Sequence, residues 1–335
     1  MSYRIAITGA SGQLGTRILR KLLEDPALTE VRAIDLAPPS VHDPRVQHHR
    51  RDIRDPGLDA LFAGCDAVFH LAFVVLGYLP RREFDAINVG GSENVFEAAA
   101  RAGVPYLLYT SSIAAYGVLP GHPDPIDERT PLRHQRDFPY AAAKFEVEAF
   151  LDGFERRNPA MKITRLRPVI VLGPGGKGPT DASLRKHLWV STSRHAMPIV
   201  WENDVAQAAA LAFQQRAHGA FLLAADEPLP GPQLAAAAGW SCLRIPPRLR
   251  RLAGRALARS APRRAPRIDP GWLLYLDVQM RATSRKAREE LGWKPECPTC
   301  ADVLRRYARE VPSEATPAQR TLHTALDLAT RLLVR

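Results

Sequence analysis

The chain has 335 residues, 46% of them hydrophobic and 24% charged, a balance that excludes a disordered or fibrous polypeptide. Its longest apolar run, residues 67–79, is too short for a membrane span and contains His70. Four cysteines in a chain of this length exclude a disulfide scaffold. The start, MSYRIAITGA, lacks the pattern of a signal peptide, so a cytoplasmic protein is expected. The formal net charge of +11 is unevenly placed: residues 231–335 carry 20 Lys/Arg against 9 Asp/Glu, while residues 1–230 carry 26 of each sign. A basic last third attracts anions, whether an anionic substrate or an acidic lipid surface, unless it is simply a solvated face.

In chain order, the first half alternates short apolar runs with helical patterns, the signature of βαβ units and a parallel sheet. Strands are predicted over residues 4–8, 31–35, 46–51, 67–72, 106–111 and 163–167, the last stopped by Pro168. Helices are predicted over 15–23, where Ile18, Leu19, Leu22 and Leu23 fall at helical spacing, and over 83–101 and 138–157. After the Gly173-Pro174-Gly175-Gly176 turn the alternation fades, apart from a helix over 204–215 and a strand over 220–224. The fold class is therefore α/β, a Rossmann-type doubly wound parallel sheet with a smaller C-terminal lobe.

Gly9, Gly12 and Gly15, spaced Gly-x-x-Gly-x-x-Gly, lie between the first strand and the first helix. Glycine allows a sharp turn and close backbone approach to a pyrophosphate, and the helix start offers free N–H groups and a positive dipole end. The stretch Gly9, Ser11, Gly12, Gln13, Leu14 and Gly15 is thus a dinucleotide cradle. Asp35, 20 positions beyond Gly15, closes the second strand, where a carboxylate binds ribose hydroxyls and repels a 2′-phosphate. NAD is accordingly expected over NADP, with nearby Arg32 and His42 the features that oppose this. Asp52 and Ile53 after the third strand would meet the adenine, and Leu71 and Ala72 after the fourth would lie along the cofactor. Such ligands bind at the carboxyl ends of the strands.

Tyr140 and Lys144, four apart on a predicted helix, share a face. A tyrosine near pKa 10 is a poor base at neutral pH. A neighbouring ammonium, reinforced by a positive nicotinamide, stabilises the phenolate and lowers that pKa. Tyr140 can then exchange a proton with a substrate hydroxyl, and Ser111 or Ser112, ending the fifth strand, can orient the substrate oxygen.

With these residues in view, the sequence resembles an extended short-chain dehydrogenase/reductase of the NAD-dependent epimerase/dehydratase group. The resemblance rests on TGASGQLG (8–15), DIRD (52–55), HLA (70–72), INVGGSENVFEAAARAGV (87–104), YTSSIAAYG (109–117), YAAAK (140–144), LRPVIVLGPG (166–175) and TSRKAREELGWKP (283–295). It implies Tyr140 as acid/base, Lys144 as its partner and ribose ligand, and Ser112 as the hydroxyl on the reacting oxygen, with Ser111 beside the cofactor. It also implies Asn88 near the cofactor and proton path, and Pro168 where the chain returns over the nicotinamide.

The expected division is an NAD-binding domain over 1–172, joined again by residues near 200–225, a substrate lobe over 173–310, and an amphipathic C-terminal helix over 311–335. A homodimer through the helices after strands four and five is usual for such proteins. Ile113-Ala114 stands where 4,6-dehydratases carry Asp-Glu, which disfavours dehydration. The short 176–198 segment and Trp201-Glu202-Asn203-Asp204-Val205 also depart from the sugar-nucleotide epimerase pattern.

The expected reaction is NAD-dependent hydride transfer at a secondary alcohol or ketone carbon, most simply epimerisation of a nucleotide-sugar-like, anionic small molecule. The alternatives are a net dehydrogenase or ketoreductase on a lipid-, steroid- or polyketide-like substrate, and a non-catalytic NAD sensor. Cys297 and Cys300 have metal-ligand spacing without a second pair, and are expected as exposed loop thiols rather than a zinc site. The arginines of 244–267 have no interleaved aromatic residue, so nucleic acid is not expected. Residues 246–260 read as a basic amphipathic helix, able to roof a cleft or touch a membrane surface.

Overall fold

The structure, a computed structural model, describes residues 2–75, 79–176, 181–191, 195–245, 270–276 and 278–333. Seven parallel strands form the central sheet: β1 (Tyr3–Thr8), β2 (Leu28–Asp35), β3 (Val46–Arg50), β4 (Ala67–His70), β5 (Tyr106–Thr110), β6 (Lys162–Pro168) and β11 (Gly219–Leu223). Their order is β11-β6-β5-β4-β1-β2-β3, so the winding direction reverses between β4 and β1. That reversal opens a crevice beyond the carboxyl ends of the strands.

Strand periodicity sorts the core. Ile5, Ile7, Phe69, Tyr106 and Leu108 face one side, while Ala6, Val68, Leu107 and Tyr109 face the other. The first side is covered by α1 (Gln13–Leu22) and α7 (Glu202–Gln214), which lie together. The second is covered by α2 (Leu58–Phe62), α4 (Gly91–Arg101) and α5 (Pro139–Arg157).

Two predicted elements differ. The helix expected over 83–101 is α3 (Arg81–Asp85), a π-helical turn (Ala86–Gly90) and α4. Gly91 lets the chain press on Ile53, whose side chain would lie 2.6 Å from a Cβ at Gly91. Pro168 does not stop its strand but ends β6 in register with Leu223, and the ladder continues through Val169 N–H to the Leu223 carbonyl.

A smaller apolar cluster gathers Leu172, Trp189, Ile199, Trp201, Leu234, Trp240 and Tyr307. It is built from β7 (Ile170–Leu172), α6 (Asp181–Leu184), β8 (Leu188–Ser191), β9 (Ala196–Met197) and β10 (Ile199–Trp201), with β12 (Leu229–Pro230), α8 (Gly231–Ala237) and β13 (Ser241–Arg244). The chain ends with α9 (Arg285–Leu291), α10 (Cys300–Glu310) and α11 (Pro317–Leu333). The last helix packs on β13, where Arg244 donates to Asp327 and its backbone N–H to Thr330. The amphipathic segment predicted over 246–260 lies outside the described residues.

Cys297 and Cys300 are not exposed thiols. They are 2% and 0% accessible, and Cys300 Sγ faces the Ile199 and Ala225 carbonyls. Thr299 and Asp302 form a reciprocal capping box at the start of α10 that draws this turn inward. The described residues contain no metal-binding cluster and no helix long and apolar enough to cross a membrane.

Candidate active site

A cavity of about 280 Å³ lies beyond the strand ends. Gly9, Gly12, Gln13, Leu14, Gly15, Leu71, Ser111, Ser112, Tyr140, Lys144 and Pro168 line it. The glycine turn is close-packed: a Cβ at Gly9, where φ is +75°, would lie 2.5 Å from Ala72 N, and one at Gly15 would strike the Gly9 carbonyl. Ala72 is thus the surface against which the turn is folded. No side chain caps α1, so the N–H groups that begin it are open to a ligand. Gln13 reaches the buried carboxylate of Glu202 at 2.8 Å, and Arg17 meets the same group at 2.5 Å.

The other predicted cofactor residues stand outside the cavity lining. Asp35 holds the glycine turn to the end of β2, with Oδ2 accepting from Ser11 N–H at 3.0 Å and Oδ1 from Ala37 N–H at 3.2 Å. Arg32 is engaged elsewhere, donating to Glu30 at 2.6 Å and to the carbonyls of Leu61 and Ala63. Asp52 is paired with Arg54 at 2.6 Å, which holds its carboxyl below the usual range. Ile53 is buried, and its carbonyl accepts from Asn94 at 2.8 Å.

Asn88 is fully buried and spends its amide on one residue. Oδ1 accepts from Val74 N–H at 2.7 Å and Nδ2 donates to the Val74 carbonyl at 3.0 Å. It braces the cavity loop from behind. Thr8, His70 and Ser92 continue this brace, with His70 bonded to Thr8 at 2.7 Å and to Ser92 at 2.8 Å. Burial pushes the His70 imidazole down to about 3, so it serves as a neutral connector.

Tyr140 and Lys144 occupy the first turns of α5, with Pro139 at the helix start where its missing N–H costs nothing. Lys144 Nζ donates to the Thr110 carbonyl at 2.8 Å and to Tyr109 OH at 3.2 Å, and sits 3.6 Å from the Phe73 ring centroid. An ammonium has three protons, so one remains for a ligand in the cavity that Lys144 lines. Burial drives the Lys144 pKa well below its ordinary value, against the pull of Glu148.

Within the chain alone, burial acts on the Tyr140 phenol in the opposite sense to the lysine. Burial raises the phenol pKa to about 12, against the lowering influence of the neighbouring Ser112 hydroxyl. The ammonium lies 5.9 Å from its ring centroid and is turned toward the end of β5.

Several contributors gave no local signal in the sequence. Phe73, Val75, Trp272 and Tyr275 line the cavity on the side of Tyr140. The Trp272 ring lies 4.9 Å from that of Tyr140 and 5.8 Å from that of Tyr275. Beneath them Glu148, fully buried one turn beyond Lys144, accepts two bonds of 2.8 Å from Arg167 and one of 3.1 Å from Arg165. These guanidiniums hold its carboxyl down to about 2 against burial.

The residues fit a dinucleotide. The cradle would be filled by any Cβ at Gly9 or Gly15, the helix start is uncapped, and Thr110 Oγ1 is buried at the cavity without a partner among the described residues.

Comparison with known proteins agrees with this geometry. The chain is 26% identical to sterol demethylase protein B of Methylococcus capsulatus, over 86% of this chain and 93% of that protein. It is 28% identical to a UDP-glucose 4-epimerase of Streptococcus mutans, over 87% and 92%. Two other curated relatives are matched over only about half their length, 52% and 42%. A UDP-N-acetylglucosamine 4-epimerase structure from Methanobrevibacter ruminantium superposes with a TM-score of 0.72 at 18% identity, covering 94% of this chain and 99% of that one. That likeness establishes a common fold. The NAD dependent epimerase/dehydratase family model matches residues 5–221, the span that carries the glycine turn, the Ser112–Tyr140–Lys144 group and nearly all of the central sheet, and the chain belongs to that family.

Proposed function

We propose that the chain is an NAD-dependent enzyme acting at a secondary alcohol or ketone carbon, with Tyr140, Ser112 and Lys144 as its chemical group. The observation that carries this reading is the convergence of these three side chains and the glycine turn on one cavity. Bound against Gly9–Gly15, NAD would supply the hydride acceptor or donor. Ser112 binds the reacting oxygen. Tyr140 receives the proton of the substrate hydroxyl, or returns one to the oxygen of a ketone. Lys144, through its remaining N–H, holds a ribose hydroxyl and adds positive charge beside the phenol. The engagement of Arg32 with Glu30 and the position of Asp35 at the glycine turn favour NAD over NADP.

For the substrate, the described cavity wall favours a lipid- or steroid-like molecule. Phe73, Val75, Val169, Ile170, Val171, Leu184, Trp272 and Tyr275 form it, and Lys144 is the charged side chain among the described lining residues. Apolar walls with a few convergent polar groups suit an apolar ring system carrying one oxygen. The similarity to sterol demethylase protein B supports the same reading. A second reading, an epimerase of a nucleotide-sugar-like anion, is favoured by the similarity to UDP-glucose 4-epimerase and by the excess charge of the last third. The protein is inferred to work as a cytoplasmic homodimer.

The test is to denature purified protein, identify the released nucleotide by mass spectrometry, and assay NADH formation with steroid secondary alcohols and inversion of UDP-sugars. Exchangeable NAD with steroid-dependent NADH formation supports the first reading. Tightly retained NAD with inversion of a UDP-sugar supports the second. NADP in the released fraction refutes the assignment of Asp35.

A further inference from the structure

We propose that the outward face of the last helix, α11, is a docking surface for an anionic lipid bilayer. Leu322 and Leu328 enter the headgroup layer, and the basic last third of the chain supplies the attraction.

The helix is amphipathic in the reverse of the usual sense. A helix that packs on its own domain turns its apolar stripe to the core and its polar residues to water. In α11 the residues turned inward are polar. Asp327 and Thr330 are buried against β13, where Arg244 Nη1 donates to the Asp327 carboxylate at 2.5 Å and Arg244 N–H to Thr330 Oγ1 at 3.2 Å. Gln319 and His323, on the preceding turns of the same side, are half-buried.

The opposite side carries Ala318, Thr321, Leu322, Ala325, Leu328 and Ala329, all exposed, with Leu322 55% and Leu328 59% accessible. At 3.6 residues per turn these positions fall within about one third of the helix circumference. No charged residue interrupts the stripe. The other large hydrophobic side chains exposed among the described residues, Leu36 and Val75, lie on separate loops, so the pair on α11 is the one that shares an element.

Charge identifies the occupant. Residues 315–335 contain Arg320, Arg331 and Arg335 but a single acidic residue, Asp327, and that one is turned inward onto Arg244. Arg320 is exposed at the flank of the stripe. The helix belongs to the segment 231–335, which carries 20 Lys/Arg against 9 Asp/Glu. An apolar stripe flanked by arginine on a positively charged lobe is complementary to anionic headgroups, to which each nearby basic residue adds attraction. A second copy of the chain fits less well, because it would bring the same positive excess against itself. The helix then lies in the plane of the membrane, its polar side still fixed to β13. Two leucines bury little apolar area, so the docking is reversible and salt-sensitive.

The test is flotation of the full chain with vesicles of phosphatidylcholine alone and with vesicles containing about one third phosphatidylglycerol. The protein is expected to float with the second at low salt, and to return to the soluble fraction as salt is raised. Leu322→Ser combined with Leu328→Ser, at positions already in water, is expected to lower the bound fraction at least about tenfold while the melting temperature stays in place. Leu36→Ser, which removes an equally exposed leucine elsewhere, is expected to leave flotation unchanged. Wild-type protein that stays in the soluble fraction with anionic vesicles overturns the proposal, as does flotation that the double variant does not reduce. Equal flotation with phosphatidylcholine alone overturns the charge argument and the choice of an anionic bilayer with it. A lipid-free dimer, detected by light scattering and lost in the double variant without any flotation of wild type, assigns the stripe to self-association instead and overturns the proposal.

Discussion

Replacing Glu148 by glutamine tests whether the floor of the site is held by charge. The side chain is fully buried, and its carboxylate is the counter-ion of Arg167 and one of those of Arg165. Arg165 retains Asp152 at 2.6 Å and Glu155 at 2.8 Å, but among the described residues the other side-chain partner of Arg167 is the neutral Tyr116 hydroxyl. Glu148→Gln therefore strands the Arg167 charge in a low-dielectric interior, which typically costs about 3–5 kcal/mol.

Proton linkage gives a similar size. A carboxyl lowered from 4.5 to about 2 on folding contributes about 3 kcal/mol at 1.36 kcal/mol per pH unit. Because the folded value is depressed, this stability is present in full above pH 4.5 and is lost as pH falls toward about 2. Urea unfolding followed by tryptophan fluorescence, with Trp201 and Trp293 fully buried as reporters, measures both effects. The variant should lose about 3 kcal/mol at neutral pH, and the gap to wild type should close at acid pH. A loss below about 1 kcal/mol, the value of an exposed pair, or a gap independent of pH, would refute the assignment of Glu148 as the buried counter-ion.

Other outcomes follow from the same geometry. Tyr140→Phe should abolish turnover while NAD affinity, read by calorimetry, stays within about threefold, a change under 1 kcal/mol. Gly9→Ala should weaken NAD binding at least tenfold and lower the melting temperature, because φ is +75° and the new Cβ would lie 2.5 Å from Ala72 N. Asp35→Ala should raise the NADP:NAD affinity ratio by removing a carboxylate, and a ratio unchanged by calorimetry would count against its role.

Asp204 should act on pH dependence in the opposite sense to Glu148. Burial raises it from 3.8 to about 6, so the folded chain holds a proton that the unfolded chain releases, and stability from this group falls as pH rises through that interval. The slope should be absent in Asp204→Asn, measured by urea unfolding between those limits.

Local spacing made part of the site legible. Gly9, Gly12 and Gly15 fall within one turn, and Tyr140 and Lys144 within one helical repeat, so one element brings each set together. Tyr275 and Trp272 carry no such signal, because they lie more than 100 residues from Tyr140 in a Pro- and Arg-rich stretch without periodicity. Glu148 reads locally as one of several acidic residues on a helix. Its meaning comes from Arg165 and Arg167, which alternate with Leu166 along β6 and so point to one face, toward α5. The Tyr140–Lys144 spacing was legible, but the burial of the Tyr140 phenol was not. Burial by Phe73, Phe138 and Trp272 outweighs a lysine that the Thr110 carbonyl draws aside. Cys297 and Cys300, without a second ligand pair, were expected in an exposed loop, yet the turn is pinned by the Asp204 carboxylate, which accepts from Glu296 N–H at 2.6 Å and Cys297 N–H at 3.2 Å.

The burial of sulfur has a practical consequence for spectroscopy. All four thiols are buried, and burial raises Cys65, Cys297 and Cys300 above their usual range, the last two to about 11 and about 12. Maleimides and similar electrophiles need thiolate and access, so the native chain is a quiet background for site-directed labelling. Val75, 39% accessible and on the cavity wall, is a natural place for one added thiol. A dye attached through Val75→Cys would report by fluorescence whatever enters beside Phe73 and Tyr275, before the chemical identity of that molecule is known.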